Sequence, residues 1–345
     1  MHILQNPIAK NYGYTALMVA SRGGHVSVVN SLLQSGADVN MASNDGSTAL
    51  MEASQYGHVS VVDALLQSGA DVNSADNYGS TSLIVATLRG RGSIVDALLQ
   101  SGADVNSGNN YGDTALTVAS REGHVSVVNA LLQSGADVNI ADNDGVTALI
   151  MASEYGHVSV VDALLQSGAD VNSANNYCGS TSLIVASHEG HVSVVHALLQ
   201  SGADVNIAEN DGSTALTMAS HAGHVSVVHA LLQSGADVNI ADNDGVTALI
   251  MASEEGHVSV VHALLQSGAD INFAGKYGTT ALIMASLGGQ LSVVHALLQS
   301  GADVNIAMDN EVTALSIAVE KGHEAIVAAL MQAGAIDYDC PPPHI

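Results

Sequence analysis

The chain has 345 residues, 33 acidic against 7 basic side chains, and a formal charge of −26. Phosphate backbones and acidic membranes are recognised by clustered Lys and Arg. Here Lys10, Arg22, Arg89, Arg91, Arg121, Lys276 and Lys321 are scattered, with only Arg89 and Arg91 close together, so neither a nucleic acid nor a membrane is the expected partner. A basic protein would instead be steered in by the field of the chain. Cys178 and Cys340 are too few for a disulfide framework, no apolar run nears the ~18 residues of a membrane span, and Met1 to Gln5 does not resemble a signal peptide. With no Asn-x-Ser/Thr site, these features point to an intracellular, cytoplasmic setting.

Length alone suggests two domains, but a fixed period overrides it. A capping threonine recurs at Thr15, Thr48, Thr81, Thr114, Thr147, Thr181, Thr214, Thr247, Thr280 and Thr313. Each step is 33 residues except one of 34, where Cys178 is inserted. The expected organisation is a single array over 1–340, with copies at 10–42, 43–75, 76–108, 109–141, 142–174, 175–208, 209–241, 242–274, 275–307 and 308–340. A Pro-rich tail, 341–345, follows.

In chain order, the first copy has a full apolar set (Leu17, Ala20, Val28, Val29, Leu32, Leu33), whose outer face Ile3, Leu4 and Ile8, further repeats or another molecule could cover. It reads as the start of a truncated array. The fifth copy shows the unit most clearly. Asn143-Asp144-Gly145 is turn chemistry, and Thr147 has the oxygen an N-cap needs. The pattern predicts a short helix over 148–155 burying Leu149 and Ala152, broken by Gly156. A second helix follows over 158–167 with Val158, Val161, Leu164 and Leu165 on one stripe, stopped by Gly168. Neither reaches the ~12–15 residues at which an isolated helix becomes marginal, so copies must stack to fold. The tenth copy drifts (Glu311 for the turn glycine, Glu324-Ala325 for Val-Ser) as a terminal cap would.

Gly-x-Thr-Ala-Leu, then Ala, Gly-His-x-x-Val-Val and Leu-Leu-Gln-x-Gly-Ala-Asp-Val-Asn together resemble the ankyrin repeat over nearly the whole chain. The family's Thr-Pro-Leu-His reads here as Thr-Ala-Leu or Thr-Ser-Leu followed by Ile150, Thr117, Met51 or Ser316, without its helix-starting proline or its imidazole. The resemblance implies an all-α solenoid of helix-turn-helix units with β-hairpin finger loops, wound into a curved, elongated superhelix. It also implies that the turn is the finger and that the first helix lines a concave groove beneath it.

No catalytic constellation is visible: there is no phosphate-cradling Gly-rich loop, no nucleophile elbow and no His-Glu-x-x-His. No cofactor is expected, and because copies are near-identical any apparent active site would recur many times. Eight histidines follow the inter-helix glycine (His25, His58, His124, His157, His191, His224, His257, His323), where imidazole can satisfy loop backbone groups. His221, His224 and His229 lie on different local elements and do not read as a zinc site. His196, His229, His262 and His295 recur one per copy, too far apart to share a metal.

Invariant positions build the stack, which leaves the variable ones for recognition. Variation concentrates in the turn (Asp144, Val146, Asp244) and at the end of the first helix (Glu154, Tyr155, His188, His221, Glu254, Glu255). Of nine tyrosines, Tyr12, Tyr78, Tyr111, Tyr177 and Tyr277 share one turn position. Tyr14 lies two residues further on, Tyr56 and Tyr155 end first helices, and only Tyr338 lies elsewhere. Tyrosine offers large amphipathic contact at low entropic cost. Recent duplication would explain the recurrence but not the avoidance of other variable places. The expected function is a non-enzymatic scaffold binding a partner protein, or a basic extended segment, in an acidic Tyr-bearing groove. The alternative is a structural spacer or a rod that self-associates through its uncapped first repeat. The family resemblance adds a third use, an effector-type adaptor inside a host cell.

Overall fold

The computed structural model describes residues 12–336, which form twenty α-helices and one short 3-10 turn at Lys276–Gly278. Two compact units share them, divided between Asn176 and Tyr177. In the first unit the helix pairs are Ala16–Arg22 with Val26–Gln34, Ala49–Tyr56 with Val59–Gln67, Ser82–Leu88 with Gly92–Gln100, Ala115–Arg121 with Val125–Gln133, and Ala148–Glu154 with Val158–Gln166. In the second they are Ser182–His188 with Val192–Gln200, Ala215–His221 with Val225–Gln233, Ala248–Glu255 with Val258–Gln266, Ala281–Leu287 with Leu291–Gln299, and Ala314–Lys321 with Glu324–Gln332. Within each unit first helices stack on first helices and second on second, making an all-α repeat stack.

Local chemistry explains each boundary. The threonine column caps every first helix: Thr147 Oγ1 accepts from the Ile150 N–H at 3.3 Å, and Thr214 Oγ1 from Thr217 N–H at 3.3 Å. This occupies one of the donors a helix start leaves open. Each second helix ends on a left-handed glycine. At Gly168 (φ +86°) the glycine N–H donates to Leu165 O and the Ala169 N–H to Leu164 O, a Schellman closure. The finger flanks meet in single antiparallel bridges, such as Ala141 with Thr147, rather than in full strands.

The core differs from the predicted stripe on the second helix. Val160, Val161 and Leu164 are fully buried, while Val158 and Leu165 are half-buried. A helix covered by neighbours on two sides buries a wide arc, and the sequence pattern had been read for one side. In the first copy Leu17, Ala20 and Val29 are buried, but Leu32 and Leu33 are only half-buried. Val28 is 37% exposed where its equivalent Val61 is at 0%. Ile3, Leu4, Ile8, Tyr338, Cys340 and the proline tail lie outside the described residues. The tenth copy exposes Val319, Met331 and Ile336 together with Glu320, Lys321 and Glu324. Glu311 adopts φ +67° in place of the turn glycine.

Three rows of polar bonds join successive copies. In the finger row, the Asn143 N–H donates to Tyr111 O at 3.0 Å and its Nδ2 to Asn110 O at 3.0 Å. In the row after the second helix, Asn139 Oδ1 accepts from Asp170 N–H at 2.8 Å, and Asn139 Nδ2 donates to Gly168 O at 3.4 Å. In the loop row, the ring Nε2 of His157 donates to Arg121 O, as His224 does to His188 O and His257 to His221 O, each at 2.9 Å. That carbonyl ends a first helix and has no partner within it. The loop histidines therefore tie neighbouring copies together, a task the sequence reading had missed when it noted the absent motif imidazole.

Candidate partner-binding face

Each finger is shaped so that its tip side chain is free. Asp142 Oδ1 accepts from the N–H groups of Asp144 (2.9 Å) and Val146 (2.8 Å), while Gly145 turns the chain at φ +78°. A Cβ on Gly145 would meet the Asn176 N–H nitrogen at 2.7 Å, so only glycine fits against the next finger. The carbonyls of Tyr111 and Asp144 are taken by Asn143 and Asn176, yet both side chains stay exposed, Tyr111 by 64%. Tyr12 and Tyr78 stand likewise in the first unit and Tyr277 in the second. The inserted Cys178 supplies the carbonyl that Asn210 N–H uses (2.7 Å), and Tyr177 is pushed out to 87% exposure.

The other predicted residues divide. Tyr155, His188, His221 and Glu255 are exposed at the ends of first helices, and Glu154 sits beside Tyr155. Tyr155 stacks at 6.4 Å on His157 of the bridging row. Glu254 is half-buried, with its carbonyl accepting from Gln290 Nε2 at 3.1 Å. His188 pairs with Glu189 at 2.8 Å. Asp244 is exposed but pairs with Lys276 Nζ at 2.9 Å, and the Lys276 ammonium also lies 5.6 Å from the Tyr277 ring centre. Val146 is half-buried at the finger base.

Tyr14 is not a fingertip. Its hydroxyl donates to Glu52 Oε1 at 2.9 Å across the first two copies. Glu52 is only 4% exposed, and its second oxygen has no partner. Burial is the main force raising the Glu52 carboxyl above its ordinary range, opposed by the Tyr14 hydroxyl and the charge of Arg22. Burial, then the Glu52 hydrogen bond, pushes Tyr14 up to about 12. Arg22 lies 4.9 Å over the Tyr56 ring, so that tyrosine is partly engaged as well.

Glu52 also marks a column the sequence reading passed over. Its equivalents, the fourth residues of the first helices, are apolar: Val85, Val118 and Met151 in the first unit, and Val185, Met218, Met251 and Met284 in the second. Most are half-buried rather than buried. The 2.9 Å bond from Tyr14 shows that this column adjoins the finger base of the preceding copy. An apolar residue on a short helix reads as core, which is why only the packed structure separates it from Leu149 or Ala152.

The described histidines do not converge on one point. His224 is spent on the inter-copy bond, His221 and His229 are exposed on different helices, and His196, His262 and His295 are exposed as well. Among the described residues no three His, Cys, Asp or Glu side chains are grouped to hold an ion, and no helix is long and apolar enough to cross a membrane.

Comparison with known proteins gives the same architecture. The model for ankyrin repeats in sets of three copies matches residues 2–76, 69–142, 135–209, 183–275 and 272–341. The chain belongs to the ankyrin-repeat family. The ankyrin-repeat domain of human ASB11 superposes with a TM-score of 0.59 at 29% identity, over 65% of this chain and 99% of that one. No curated protein sequence matches. Ankyrin repeats are generally protein–protein interaction modules, and this chain keeps the threonine cap and the loop histidine while lacking the Pro and His of the usual motif.

Proposed function

We propose that this ankyrin-repeat chain is a non-enzymatic scaffold that takes a basic, partly extended segment of a partner protein on its finger and first-helix surface. The observation that carries the reading is the fingertip column. Each tip's backbone is consumed by the neighbouring finger, while Tyr78, Tyr111 or the equivalent acid stays in solvent. Exposed tyrosines in a regular row supply rigid amphipathic anchors, and Asp144, Glu154 and Glu255 add the charge a basic segment would answer. Tyr12, Tyr78 and Tyr111 stand mostly in solvent, so replacing all three with Ala should leave the melting temperature nearly unchanged. The same variant should lose the partners that the wild-type chain captures from lysate, read by mass spectrometry. An unchanged set of partners would rule this surface out.

Exposed Val28 in the first copy and exposed Val319 and Met331 in the tenth favour a second use, self-association of copies into a longer rod. Light scattering across a concentration series separates the two, since a mass that does not grow with concentration eliminates the rod.

A further inference from the structure

The two units differ in what they offer a partner. All four arginines of the chain fall in the first unit, Arg22, Arg89 and Arg121 at or just after the ends of first helices and Arg91 at the start of the second helix Gly92–Gln100. There too Glu52 interrupts the apolar column. The second unit contains two basic residues, and both are already paired, Lys276 with Asp244 at 2.9 Å and Lys321 with Glu320 at 3.0 Å. Its column is unbroken, with half-buried Val185, Met218, Met251 and Met284 leading to Ile317. Asp211 and Glu255 remain exposed at its fingers and helix ends. A contiguous half-exposed apolar strip flanked by one sign of charge marks a recognition surface. Methionine, unbranched and polarizable, suits it to varied apolar side chains.

Resting on the scaffold reading above, we infer that the second unit carries a recognition segment of its own, in addition to the tyrosine row of the first, and that its ligand is a chain in the extended polyproline-II form with a long apolar side chain at every third position and Lys or Arg between. The period follows from two lengths. Stacked helices lie about 8–10 Å apart, and a chain in the extended polyproline-II form advances about 3.1 Å per residue with three residues per turn, so one copy spans about three ligand residues and every third side chain returns to the same face. Each apolar side chain would meet one methionine of the column, and the intervening cations would meet the acids on either side.

The test is fluorescence anisotropy with the full chain and three labelled 15-residue peptides: (Leu-Lys-Lys)5, a peptide of the same composition with its leucines grouped, and (Leu-Glu-Glu)5. The periodic basic peptide should bind about tenfold or more tighter than the grouped one, and the acidic one should not bind. Replacing Met218, Met251 and Met284 with Gln should remove that advantage. Because this variant alters a packed surface, methyl resonances of the wild-type methionines provide a second readout. Those of Met218, Met251 and Met284 should shift on peptide addition, while those of buried Met18 and Met51 stay in place. Equal binding of periodic and grouped basic peptides, or shifts outside the three methionines, would overturn the inference and leave the basic-segment reading standing. Binding of neither basic peptide would overturn both.

Discussion

Glu52 is the residue at which one copy breaks with the others, since a carboxyl occupies a place that Val, Met or Ile holds elsewhere. Its protonated form is the one burial favours, so the folded chain keeps that proton to higher pH than the unfolded chain, whose carboxyl titrates near the ordinary 4.5. The folded state thus binds more protons in this window, and stability falls as pH rises from about 4.5 through the raised folded value. Glu52→Gln should flatten this slope, and the stability difference between variant and wild type, measured as urea midpoints from pH 4 to 8, should widen with pH. A constant difference would sink the assignment. Tyr14 has the same sign at the alkaline end: its phenol ionises at about 12 in the fold rather than 10.0, so stability is lost as pH climbs through that interval. The buried hydroxyls of Ser54, Ser120 and Ser220, which have no partner, are a further departure from close packing, whereas Ser286 donates to Leu282 O at 2.8 Å.

At the scale of the element, the loop between helices is defined by what its first side chain reaches. His157 closes the last carbonyl of Ala115–Arg121, and Gln290 does the same for Glu254 O in the ninth copy. An amide can therefore replace the imidazole. His157→Ala should cost about 1–3 kcal/mol, the penalty for leaving a desolvated carbonyl without a donor, while His157→Gln should recover most of it in urea unfolding. Equal losses would show that ring packing, not the hydrogen bond, holds the junction. Much of this element could be read in the sequence, because Thr147, Gly145 and Gly168 act through local backbone chemistry that their identity announces. The fingertip tyrosines were equally legible, since a turn column that varies has no packing to satisfy. The methionine column and the Tyr14–Glu52 pair were not. Their burial depends on the neighbouring copy, and a pattern read within one copy cannot tell a residue covered on both sides from one covered on one.

For the molecule as a whole, the charge of −26 is the dominant long-range term. The pairs Arg121–Glu122, Lys276–Asp244 and Lys321–Glu320 are exposed and offer little attraction for salt to weaken. Going from about 10 mM to 150 mM NaCl shortens the screening length from about 30 Å to about 8 Å. Self-repulsion should be relieved, and the melting temperature, followed by circular dichroism, should rise by a few degrees. A fall would mean that specific ion pairs outweigh the net charge. Exposed Val28, Val319 and Met331 belong to this same acidic chain, so any self-association through them should also strengthen with salt.

The extra residue in the sixth finger shows how the stack tolerates change. Cys178 takes over the carbonyl contact to Asn210, and the helices that follow keep the same caps and the same buried positions as their neighbours. A finger can therefore grow outward without altering the rung that anchors it. Tip and stack are mechanically separable at this finger, and new sequence could be spliced into a tip while the slabs behind it continue to stack as before.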